Sequence, residues 1–149
     1  MNPRMLLPAC ALLLAACAPT MGSSSYSFAR QDSAPVGMDP TGTATVRQEG
    51  GSTSAFLQLS GLAALTNYVA HFHSMGTAST APCASGGPAI MASKMTGMSD
   101  ALGNLTLSGS VADSVIRSAT YLNVHTAKDQ AGTPADAGVA CTAVTLVKK

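Results

Sequence analysis

Hydrophobic residues in this chain recur at every second position in short runs, and no segment keeps the three-to-four spacing of a sustained helix, which confines the chain to sheet-built folds. Phe56-Leu57-Gln58-Leu59 leads to Gly61, Tyr68 to His73 alternates, and Asn104-Leu105-Thr106-Leu107-Ser108 alternates cleanly. Ala119 to His125 and Val139 to Val147 are rich in β-branched residues. Runs of this kind, broken at Gly50-Gly51 and Leu102-Gly103-Asn104, predict an all-β antiparallel sandwich or barrel. Met75 to Ala101 departs from the pattern: it is long, rich in Ser, Thr, Ala and Gly, and punctuated by Pro82 and Pro88. A loop of that length in a compact domain is usually functional or disordered.

The N-terminus reads as an address. Arg4 supplies a positive start, Met5 to Ala16 is almost wholly apolar, and Leu14-Ala15-Ala16-Cys17 closes it with small residues before a cysteine. That is the layout of a secretory signal, and the segment is too short to span as a transmembrane helix. Leu-Ala-Ala-Cys resembles the bacterial lipobox, which implies a signal over 1–16, cleavage before Cys17 and lipid on Cys17; an ordinary signal cut near Ala18 to Thr20 is the other reading. The expected product is an exported protein tethered to the cell envelope. Residues 17–40, rich in Ser, Gly and Pro, read as a flexible tether, and 41–149 as one small domain.

Composition narrows the partners. The formal net charge is +1 and only 10% of residues are charged, so the chain carries no basic footprint for nucleic acid. With Cys10 in the signal and Cys17 lipidated, Cys83 and Cys141 remain. In an oxidising compartment they are expected to pair. The alternative, a cysteine ligand to a metal, lacks any CxxC-type spacing.

All three histidines fall in two of the predicted strands. Alternation places His71 and His73 on one face while Phe72 points the other way, into a core. If the strand ending at His125 passes nearby, a third imidazole completes a compact all-nitrogen site that suits copper or zinc.

A resemblance joins these pieces. His71-Phe72-His73, Cys83-Ala84-Ser85-Gly86-Gly87-Pro88, Leu102-Gly103-Asn104-Leu105-Thr106, Val124-His125 and Ala140-Cys141 occur in that order and look like the successive signatures of the copper/zinc superoxide dismutase family. The resemblance implies a Greek-key β-barrel, copper held by His71, His73 and His125 outside it, and a disulfide anchoring the long loop to the last strand. It also places Asp129 where that family has a carboxylate that orients a copper histidine.

The departures matter as much. Ala89 stands where the family has its bridging histidine, and Gly138 where it has the arginine that draws in superoxide. No histidine lies between His73 and His125, and Asp100 alone cannot hold zinc, so the expected cofactor is one copper ion without zinc. Met91, Met95 and Met98 are candidate soft ligands for Cu(I) or else adaptable packing. These readings lead to weak superoxide dismutation, with a non-enzymatic copper carrier or buffer and a purely structural domain as alternatives. The expected partners are superoxide or copper-donor and copper-acceptor proteins, and a membrane through the Cys17 lipid.

Overall fold

The computed structural model describes residues 22–147, so the signal segment and Cys17 lie outside the described residues. The alternating runs form eight strands: β1 (Gly22–Arg30), β2 (Thr41–Glu49), β3 (Ser52–Ser60), β4 (Asn67–Ser74), β5 (Met95–Met98), β6 (Leu105–Ala112), β7 (Ala119–Thr126) and β8 (Ala140–Ala143). Two single 3-10 turns, Pro82–Ala84 and Met91–Ser93, are the only helical pieces among the described residues.

The strands make one antiparallel sheet in the order β5-β4-β7-β8-β1-β2-β3-β6. The chain crosses over after β3, so β6 rather than β4 lies beside β3, which is a Greek-key arrangement. The two ends of the sheet then meet without a ladder. A Cβ at Gly97 of β5 would lie 2.7 Å from Leu107 Cδ2 of β6, so glycine there lets the strands approach and nearly close the barrel.

Alternation decides what fills the interior. Ala44 and Val46 of β2, Ala55, Leu57 and Leu59 of β3, and Leu105 and Leu107 of β6 point inward and are buried. Tyr68, Ala70 and Phe72 of β4, with Leu122 and Val124 of β7, close the core from the other side. Leu57 and Leu107 are direct cross-strand partners, and burying each such side chain contributes about 1.5–3 kcal/mol.

Two expectations are corrected. Gly22–Arg30 is not tether but β1, paired with β2 from Gly22 to Phe28 and with β8 through Ala29 and Arg30. Its Phe28 is buried, and so are Ala34 and Met38 of the segment that follows. The Arg30 guanidinium donates to the carbonyls of Gln31, Ala34 and Met38, which pins that segment in place. The Ser-rich composition misled because the first four residues of β1 are exposed on both faces, where hydroxyls serve as well as any residue. The second correction is inside Met75 to Ala101, where β5 forms and pairs with β4.

The faces of the barrel differ. β2 and β3 alternate buried with solvent-facing positions, whereas β4 and β7 are buried on both faces except at their ends. The outer face of β4 and β7 is covered by residues 75–94 and 127–139. The first segment folds back on β4: Ala89 bridges to His73, and Ile90 N–H donates to Phe72 O. Lys94 Nζ then donates to Ala131 O at 2.8 Å, tying the two segments together.

Candidate metal centre

Core-facing Tyr68, Ala70 and Phe72 force Val69, His71 and His73 onto the outer face of β4. On β7, core-facing Leu122 and Val124 do the same for Tyr121, Asn123 and His125. The register sets Val69 opposite His125, His71 opposite Asn123 and His73 opposite Tyr121. His125 is therefore diagonal to His71, within reach of a long side chain.

The three imidazoles converge. Ring centroids lie 6.3 Å apart for His71 and His73, 6.3 Å for His71 and His125, and 5.8 Å for His73 and His125. One nitrogen from each lies within 4.8 Å of the others, so the three could hold a metal ion. Three nitrogens about 2.0–2.1 Å from a common ion stand roughly 3.3–3.6 Å apart, so ring movements of about an ångström close the set.

Hydrogen bonding selects the atoms. His73 Nδ1 lies 2.9 Å from Gly87 O, and His125 Nδ1 lies 3.0 Å from Asp136 O. A carbonyl only accepts, so both Nδ1 atoms carry the proton and each neutral ring presents the lone pair of Nε2. His73 Nε2 is buried without a hydrogen-bond partner, and so are both nitrogens of His71. Orphaned buried nitrogens are rare in folded proteins, and a metal ion would satisfy them.

The surroundings of His71 and His73 favour their neutral forms. Burial, then His125, His73 and Lys94, push the His71 pKa down to about 4. Burial also lowers His73, against the opposing hydrogen bond to Gly87. Neutral imidazole is the ligating form.

The carboxylate near the site is Asp136. Burial would raise its pKa, but the nearby His125 ring and hydrogen bonds from Thr126 and Gly138 outweigh this and hold it below the ordinary value. Its Oδ1 lies 3.6 Å from His125 Nδ1 and accepts from Gly138 N–H, while Oδ2 accepts from the backbone and hydroxyl of Thr126. Asp129, expected in this role, is exposed and accepts from Thr133 N–H across its own turn. It shares a surface groove with Asn67 and Met98. A fixed offset from His125 could not anticipate how residues 127–139 fold back.

Nor do the methionines converge as soft ligands. Met95 is buried in the core on the inward side, whereas Met91 and Met98 are 61% and 51% exposed. The disulfide between Cys83 and Cys141 is present, with a sequence separation of 58 residues. Among residues the sequence did not single out, Tyr121 and Asn123 follow from alternation around His125. Gly87 and Asp136 carried no local signal.

Residues 24–133, more than half of the chain, match the CHRD domain. The chain belongs to the CHRD-domain family. No match to a curated protein was found. The match takes in His71, His73, His125 and Cys83 of this CHRD domain and ends before Asp136 and Cys141. Membership in this family overturns the copper/zinc superoxide dismutase assignment. The dismutase, oxidoreductase and antioxidant roles, and the carrier role derived with them, go with it.

Local geometry shapes two of the positions that depart from the dismutase pattern. Gly138 has φ +129°, and a Cβ there would sit 2.5 Å from both terminal atoms of the Asn123 amide. A side chain at the position compared with a guiding arginine would strain the backbone and require the buried Asn123 amide to shift. Ala89, compared with a bridging histidine, spends its backbone on the bridge to His73.

Proposed function

We propose that this CHRD domain binds one copper ion through His73 Nε2, His125 Nε2 and a nitrogen of His71. The observation that carries the proposal is the set of orphaned nitrogens on His71 and His73, aimed into the cluster that His125 completes. Copper is favoured over zinc by ligand number. His71, His73 and His125 are 1%, 7% and 6% exposed, which leaves little access for the solvent ligand that a zinc tetrahedron needs. Cu(I) is content with three nitrogens, so the reduced ion is the form best suited to the pocket. The N-terminal sequence supports an exported protein held at the cell envelope by lipid on Cys17.

Metal titration of the mature protein tests this reading. One equivalent of Cu(I) should bind, and His71→Ala, His73→Ala and His125→Ala should each abolish tight binding. Asp136→Ala should weaken binding about ten- to a hundredfold by freeing His125, while Asp129→Ala leaves it unchanged. Stoichiometric zinc retained against copper, or full copper affinity in His125→Ala, would overturn the proposal.

A further inference from the structure

Resting on the copper reading, we propose that Tyr121 is a positioning residue for the metal site, acting on His73 through a loop that the Cys83–Cys141 disulfide latches to the sheet. Tyr121 is the cross-strand partner of His73, and its ring stacks on the imidazole with centroids 4.7 Å apart and planes 24° from parallel. Its hydroxyl donates to Gly87 O at 3.0 Å. That is the same carbonyl that accepts from His73 Nδ1 at 2.9 Å. One side chain thus fixes both the plane of the imidazole and the acceptor that sets its tautomer. With the ring face and Nδ1 both held, the unpartnered Nε2 is the remaining point of attachment for an ion.

Gly87 has to stay where Tyr121 can use it, and residues 75–94 carry the means. Ser85 Oγ accepts from Gly76 N–H and donates to Pro82 O, while Ser85 O accepts from Ala78 N–H. The segment from Gly76 to Ser85, two residues short of Gly87, is thereby closed on itself. Cys83 lies inside it, and its disulfide partner Cys141 sits opposite Asn123, which sits opposite His71. The outer face therefore runs His71, Asn123, Cys141 across β4, β7 and β8. The disulfide fastens the loop two strands away from the first histidine. Beyond Gly87, Pro88 O accepts from Ser74 N–H, so the carbonyl is held on both sides.

Two variants test the arrangement without adding thiols that compete for copper. Tyr121→Phe keeps the stacked ring and deletes only the hydroxyl. Cys83→Ser/Cys141→Ser removes the latch. Each should weaken Cu(I) binding about ten- to a hundredfold, the range for loss of a group that orients a ligand. Combined, they should cost less than the sum of their effects, because both act through Gly87.

A readout on metal-free protein separates this idea from the copper reading. In histidine-labelled protein the His73 Nδ1–H should exchange slowly with water, and at least tenfold faster in either variant. Faster exchange in the variants of a protein that binds no copper would sink the copper proposal and uphold the positioning role. Unchanged exchange and unchanged Cu(I) affinity in Tyr121→Phe would overturn the positioning role, whether or not the serine variant folds.

Discussion

At the scale of single residues, His71 is the costly one. It is 1% exposed, and neither ring nitrogen has a hydrogen-bond partner. An unsatisfied buried polar group costs about 1–3 kcal/mol, whereas an apolar replacement of similar shape carries no such penalty. His71→Leu should therefore raise the stability of metal-free protein by about 1–3 kcal/mol while abolishing copper binding, as read from denaturant midpoints. The pH profile supplies a second check. The folded-state pKa of His71 is about 4, below its ordinary 6.5, so between these values the unfolded chain holds a proton that the folded chain refuses. Stability of the metal-free protein should fall as pH drops from about 6.5 to about 4, and His71→Leu should flatten that slope by about one proton. A leucine variant less stable than the parent at pH 7 would contradict this account.

At the scale of elements, β1 shows where composition misleads. The tether reading and the strand reading of Gly22–Arg30 compete for the same serines, and Phe28 decides between them only once a core exists to receive it. β1 also joins the two halves of the sheet, since it is the strand between β8 and β2. Without it, β2 and β8 would present unpaired edges, which template aggregation. A chain beginning at Thr41 should fail to give soluble folded protein, whereas one beginning at Gly22 should match the mature protein in its circular dichroism and melting temperature. A cooperative melt from the shorter chain would restore the tether reading. The histidine strands were more legible. Alternation alone gives His71 and His73 a shared face, and the same rule extended along β7 gives Tyr121, Asn123 and His125. What it could not give was the diagonal between His125 and His71, because register is set by the pairing of two strands whose sequences are far apart.

Across the whole molecule, the site ties distant parts together. A metal bound by β4 and β7, whose histidines are oriented by Gly87 and Asp136 from two separate segments, binds the folded state and not the unfolded one. Ligand at a hundred times its dissociation constant stabilises such a state by about 2.7 kcal/mol. For a domain of this size that corresponds to a rise of roughly 10 °C in melting temperature. Thermal melts with Cu(I), compared with the His125→Ala variant, should show the rise in the parent alone. An equal shift in both would place the metal elsewhere.

The sequence by itself determined the all-β class, the shared face of His71 and His73 with Phe72 turned inward, and the two short runs that hold every histidine. These follow from a period of two, which is local. Only the tertiary structure decided that β1 belongs to the barrel, that β5 rises from the long loop, that Asp136 rather than Asp129 meets His125, and that the methionines scatter between core and surface. Each of those depends on how far the chain travels before it folds back, and on which backbone groups remain unpaired when it arrives. Residues 75–94 and 127–139 carry little periodic pattern of their own, so their path is settled by the Cys83–Cys141 bridge, the Ala89 bridge to His73 and the hydrogen bonds around Asp136. The disulfide was expected from the two remaining cysteines, but the Ala89 bridge and the approach of His125 to Asp136 join segments that no local pattern brings together.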